Sequence, residues 1–119
     1  MARRIGANVQ GLEEVLRQLG REGARQLEQE LDNIVEANAV RIANEAKENA
    51  PYKDGNLKRS IHLYGRPAKL ARTIGSNMPY AQRQEYEHAT KKGYFRKALW
   101  NGREPFRREI QDAIRGLDD

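Results

Sequence analysis

The chain has 119 residues, no cysteine, a formal net charge of +5 and a pI near 9.7. These values suit one domain with a thin core, since 38% of residues are hydrophobic and 33% are charged. They exclude disulfide staples, thiolate metal sites and a cysteine nucleophile. No apolar run approaches the ~18 residues of a membrane span. The opening Met1–Gly6 carries two arginines but no apolar stretch after them, so it does not read as a signal peptide. The expectation is a protein with no membrane partner, made and used without export.

Ile5, Ala7 and Val9 alternate with polar residues and predict a short strand. Leu12, Val15, Leu16 and Leu19 follow the spacing of one helix face, and Gly20 and Gly23 close that helix and open the next. Residues 24–49 form the clearest element. Leu27, Leu31, Ile34, Val35, Ala39, Ile42, Ala43 and Ala46 recur at spacings of three and four, giving a helix of roughly 39 Å. Asn38 lies at the edge of that stripe, where it either fixes a register or is locally satisfied. Pro51 ends the helix, because the residue before a proline disfavours the α region.

Asp54, Gly55 and Asn56 signal a turn, and Asn56 reads as the cap of a short helical turn through Ser60. Residues 60–75 read as a β-hairpin, with strands around Ile61–Gly65 and 69–75. Residues 80–88 fit either a helical turn or a strand. Tyr94–Trp100 is a short amphipathic stretch that Asn101 and Gly102 interrupt. Pro105 suits the first turn of a final helix carrying Phe106, Ile110, Ala113, Ile114 and Leu117. Neither a repeat nor a low-complexity tract is present.

Catalysis needs positioned acids, bases or nucleophiles. Of the two histidines, His62 reads as a surface or edge residue on a strand. Glu85 and His88 make a single Glu-x-x-His, where a di-metal bundle needs two. No His-Glu-x-x-His, Walker loop or Gly-x-Gly-x-x-Gly occurs, and Ser60 and Ser76 lack an elbow motif. The expectation is no catalytic site, no metal and no cofactor.

Charge distribution says more than the total. Residues 21–50 carry four basic and seven acidic side chains; residues 51–72 carry six and one; residues 91–115 carry eight and three. An acidic helix between basic segments supports head-to-tail contacts between identical subunits. The candidate contact residues are basic Lys53, Lys58, Arg59, Arg66, Lys69 and Arg72, acidic Glu28, Asp32 and Glu36, and aromatic Tyr80, Phe95 and Trp100. The other reading of the basic cluster, with Tyr52 and Tyr64 among it, is nucleic-acid binding, although no reader motif is present.

The order of motifs carries a family resemblance. Asn49–Pro51 followed by Tyr52–Ile61 resembles the "A-P-x-x-T-G-x-L-x-x-S-I" signature of the HK97-type tail-component family of phages, with Asp54 in place of the threonine. Ile74–Ser76 followed by Pro79–Ala81 is similar to the family's "V-G-x … P-Y-A". Glu85 or Glu87 stands where the family has a glutamate, and Tyr94–Leu99 resembles "P-F-L-R-P-A-L", with Lys97 in place of its second proline. The resemblance spans roughly residues 9–117. It implies an α+β fold, a small antiparallel sheet packed with a long helix and a C-terminal helix, in a single domain over 1–119. It also implies a virion structural protein for tail completion or head–tail joining at the neck, with no catalytic residue. The implied ring is sixfold, or twelvefold if it follows portal symmetry. Its neighbours would be portal, adaptor, stopper, tail-terminator or tail-tube proteins, with DNA passing nearby without sequence-specific binding. Two rival readings are a small basic nucleic-acid-binding module, including a toxin-like ribonuclease, and a dimeric adaptor.

Overall fold

The computed structural model describes residues 2–7, 9–51, 55–78, 81–87, 91 and 93–116. Its elements are β1 (Ala2–Gly6), α1 (Leu12–Asn49), α2 (Asn56–Ser60), β2 (His62–Gly65), β3 (Ala71–Gly75), α3 (Ala81–Glu87) and α4 (Tyr94–Arg115). The three strands form one antiparallel sheet in the order β1-β3-β2. This is the α+β arrangement that the resemblance implies.

β1 lies earlier than alternation at 5–9 predicts, because backbone pairing with β3 takes residues 2–6. Ile5 is its buried side chain. The Ala7 N–H adds one further bond, 2.9 Å, to the Leu70 carbonyl before the chain turns away. The hairpin forms as expected, with trimmed ends and a register shift between Leu63 and Gly65. Cross-strand partners Ile5–Arg72 and Leu63–Ile74 place these four side chains on one face of the sheet, the face toward α1.

α1 covers that face. Gly20 breaks it (φ 76°, ψ −179°), so the predicted division into two helices holds, with the second beginning at residue 21 rather than 24. Ala50 is extended (φ −66°, ψ 143°), as expected before Pro51. The molecule is long, 52 × 22 × 18 Å. Its radius of gyration is 16.6 Å, against about 13.5 Å for a compact chain of this length.

Two apolar clusters sit along α1. Toward its C-terminal end, Ile42, Leu57, Ile61, Ile74, Tyr94 and Phe95 pack over the small side chains Ala39, Ala43, Ala46 and Ala50. Toward its middle, Leu27, Leu31 and Val35 meet Leu70 and Ile110. Each fully buried large side chain contributes roughly 1.5–3 kcal/mol.

α4 corrects the predicted interruption. It runs unbroken from Tyr94 to Arg115, with Gly102 buried and Pro105 inside it. A Cβ on Gly102 would lie 2.4 Å from Ile42 Cγ1 and 2.6 Å from its Cδ1. The glycine is therefore where α4 admits the Ile42 side chain of α1 against its backbone, not a helix end. Asn38 pins the same helix pair. Its amide donates to the Ile34 carbonyl (2.7 Å) and to Glu109 Oε2 (2.9 Å), and its oxygen accepts from Arg41. Arg41 in turn bonds Glu109 at 3.3 Å. So the buried asparagine does both things the sequence allows: it is locally satisfied and it ties the two helices in one register.

Candidate interaction surface

The signature segment 51–61 builds a junction rather than a reactive site. Pro51, Leu57 and Ile61 are buried. Gly55, in the left-handed region, precedes α2 and occupies the cap position that the sequence suggested for Asn56. Ser60 Oγ donates to the Leu57 carbonyl (2.7 Å) and shares a hydrogen bond with the hydroxyl of Ser76. The Met78 N–H donates to that same Ser76 oxygen at 3.1 Å. Two segments 16 residues apart are thereby joined through their hydroxyls.

Glu85 makes a second junction. It is 3% exposed, and its carboxylate accepts the backbone N–H of Phe95 (2.8 Å) and of Arg96 (3.0 Å). These are orphan donors in the first turn of α4, which has no side-chain cap of its own at Gly93. A carboxylate there also complements the helix dipole. The Glu85 carbonyl receives the Gly93 N–H at 2.6 Å, and the Tyr94 hydroxyl donates to the Ala81 carbonyl at 3.2 Å. Within the ambiguous stretch 80–88, residues Ala81–Glu87 are thus a short helix, α3, that holds the start of α4.

The acidic and basic segments find each other within one chain. Lys69 pairs with Glu28 (3.3 Å), Arg66 with Asp32 (3.3 Å), and Arg72 with Asp32 (2.9 Å) and with Glu36. Glu28, Asp32 and Glu36 are spaced by four, so α1 presents them as one row beneath the hairpin. Arg72 is 9% exposed and donates to both carboxylates, which satisfies a buried guanidinium. Leu70 holds the turn in place at φ 60°, a conformation unusual for a residue with a Cβ. Its amide also bonds Asp32.

Glu28, Asp32, Glu36, Arg66, Lys69 and Arg72, expected at contacts between subunits, are thus paired with one another within one protomer. Opposite charges brought together by the hairpin's own fold are already neutralised inside the protomer.

Hydrogen bonds from Arg72 hold the Asp32 carboxyl below its usual range against the opposing effect of burial, with added attraction from Arg72 and Arg66. Asp32 and Glu36 push the Arg72 guanidinium up, so it stays charged at any working pH. A depressed carboxyl contributes stability that is complete above its unfolded value, 3.8, and is lost as pH falls through the folded value. Asp32→Asn is therefore expected to flatten the acid limb of the stability curve below about pH 4. Thermal unfolding followed by circular dichroism at stepped pH checks this; an acid limb as steep as in the parent contradicts it.

Phe95 also leaves the set of surface candidates. At 1% exposure it is core, edge-on to Tyr94 at 6.4 Å. Lys53, Tyr80 and His88 lie outside the described residues. His62 is exposed on the edge strand β2, against the Tyr64 ring at 4.3 Å. Lys58 is half-buried and Arg59 exposed on α2. Trp100 is the most exposed large hydrophobic residue among the described residues, at 66%, with the Arg103 guanidinium 4.2 Å from its ring centre. Arg96, Trp100, Arg103 and Arg107 follow at i, i+4, i+7 and i+11, so they lie along one side of α4. Arg103 and Arg107 border an open groove of about 430 Å³ whose walls include Val9, Phe106, Ile110 and Ile114.

Among the described residues, no group of three or more His, Cys, Asp or Glu side chains is placed to hold a metal ion. None of their helices is long and apolar enough to cross a membrane. Glu85, Gly102 and the Ser60–Ser76 pair are the structural residues that the sequence reading did not identify. Glu85 and Ser60 carried a signal, their places in the family motifs.

The family described as "Bacteriophage HK97-gp10, putative tail-component" matches residues 13–96. No curated protein and no solved structure gives a significant match.

Proposed function

This chain belongs to the HK97-gp10-like tail-component family of bacteriophages, and from that premise we propose that it is a tail-completion protein, joining head to tail as a ring of identical subunits at the neck. The observation that carries the reading is the division of labour among its side chains. The family-signature residues Leu57, Ser60 and Ile61, with Ser76 bonded to Ser60, knit the protomer together, while Trp100 and the arginines beside it stand in solvent. Exposed tryptophan flanked by arginine is the composition of an interface anchor. A scaffold of this kind offers surfaces to protein neighbours rather than a pocket to a substrate.

Heterologous contacts that close make a ring. In this reading the cations of α2 and α4 meet an acidic neighbour, with Lys58 and Arg59 on one helix and Arg96 and Arg107 on the other. Six copies are expected, or twelve if the ring follows portal symmetry. Portal-proximal and tail-tube-proximal proteins are the partners, and DNA passes through without sequence-specific contact.

Trp100→Ala tests this reading. Its side chain is exposed, so the stability of the free protein should change by no more than about 0.5 kcal/mol. Complementation of the phage should fall by at least about tenfold, because an anchor residue typically contributes 2 kcal/mol or more. Filled heads and unjoined tails should accumulate. Charge reversal at Lys58 and Arg59 should act the same way. Normal yields of infectious particles from both variants contradict the proposal.

A further inference from the structure

Gly20 is the one residue inside α1 with non-helical torsions. A Cβ there would meet nothing within 4 Å, so its positive φ, and not crowding, is what favours glycine. A Cβ on Gly23, in contrast, would lie 2.9 Å from Leu19 Cβ. In an unbroken helix, residues four apart hold their Cβ atoms about 5–6 Å apart. The close approach of 19 to 23 therefore exists only because the chain bends at 20. Both glycines suit the bent state, and neither is needed by a straight one.

The apolar pattern ignores the bend. Leu12, Leu16, Leu19, Leu27, Leu31 and Ile34, with Gly23 between, continue one stripe at spacings of three and four. Run straight, α1 would be about 57 Å long. The segment before the bend is also lightly held. Leu12, Val15, Leu16 and Leu19 are only half-buried, whereas Leu27, Leu31 and Val35 are fully covered. The ion pairs on either side are local, Glu14–Arg17 before the bend and Glu22–Arg25 after it. β1, which precedes this segment, contributes one buried side chain, Ile5, and a backbone ladder to β3. An identical ladder is available on any other copy of the chain.

We propose that residues 2–19 form an exchange arm. In the assembled ring α1 runs straight through Gly20, and β1 and the half-covered leucines pack on β3 and α4 of the neighbouring copy. The inference rests on the ring reading above. Exchange replaces each intrachain contact with the same contact between chains, and a straight α1 needs no left-handed residue at position 20. The occupant of the arm's site is thus a second copy of this protein.

Cysteines at Arg4 and Thr73 test it. These residues are partners across β1 and β3, and the chain has no other cysteine. Oxidised as the free monomer, Arg4→Cys/Thr73→Cys should give an intrachain disulfide. Oxidised in assembled rings, it should give interchain links, read as a ladder on a non-reducing gel. In the same background, Gly20→Ala with Gly23→Ala should lower the concentration needed for assembly by roughly tenfold or more, since both changes favour the straight helix. Closed rings whose disulfides are all intrachain overturn the exchange and leave the ring intact. A glycine-substituted protein that stays monomeric, with only intrachain links at every concentration, overturns it too. Absence of the chain from the neck would overturn the ring reading itself, and is read separately from the disulfide pattern.

Discussion

Glu85→Ala is expected to lower stability by roughly 3–4 kcal/mol, the largest effect of any single polar truncation in this protein. The carboxylate is the only side chain seen to satisfy the Phe95 and Arg96 amides, and it does so from a different helix. Removing it leaves donors buried at the N-terminal turn of α4, each costing about 1–3 kcal/mol. It also removes a negative charge at the positive end of the helix dipole. Glu85→Gln keeps one acceptor oxygen and the side-chain volume, so it should recover about half of the loss. Urea unfolding followed by circular dichroism measures both. A Glu85→Ala change below about 1 kcal/mol would mean that the cap contributes little and that α3 holds α4 by apolar packing alone.

Gly102→Ala is expected to destabilise by about 1–3 kcal/mol, and the sign is the informative part. If Gly102 were only a weak spot in α4, alanine would stabilise the helix by roughly 0.8–1 kcal/mol. The added methyl instead falls 2.4 Å from Ile42 Cγ1, inside a packed contact where the β-branched side chain has little freedom. Ile42→Ala alone should cost about 2–5 kcal/mol through the void it leaves. Combined with Gly102→Ala, the new methyl partly fills that void, so the double variant should be at least about 1 kcal/mol more stable than the sum of the two predicts. Additive losses, or a stabilising Gly102→Ala, contradict this close approach of α4 to α1.

The long helix, the hairpin and the break at Gly20 are legible in the sequence because each rests on a local signal: a period of 3.6, alternation, or a glycine between two apolar stripes. The course of α4 is not, and the reason is physical. Asn101, Gly102 and Pro105 are punctuation in a linear reading, yet Gly102 is selected by a contact with Ile42, sixty residues away, and the helix continues through it. Proline inside it forgoes one backbone bond, which the packing of Phe106 and Ile110 on α1 outweighs. Glu85 is hidden for the same reason, since its partners are backbone amides whose position depends on tertiary structure.

The charge pattern shows what segment composition can and cannot decide. An acidic row at Glu28, Asp32 and Glu36 and a basic set at Arg66, Lys69 and Arg72 are plain in the sequence. Whether opposite charges meet across a subunit boundary or within one chain depends on where the hairpin folds back. Here the Leu70 turn lays it along α1, and the pairs close internally. Phe95 illustrates the same limit: an aromatic side chain five residues before an exposed tryptophan lies on another face of the helix and is part of the core. Trp100 is the aromatic candidate that the fold leaves open to a partner.

A symmetry-resolved cryo-electron microscopy map of the neck of the phage that encodes this chain tests the central claim most directly. The account predicts six or twelve copies of this elongated, 52 Å subunit closed around the DNA path, with Trp100 in a protein contact. A neck whose density is filled by other chains, with this one found elsewhere in the particle or not at all, would contradict it.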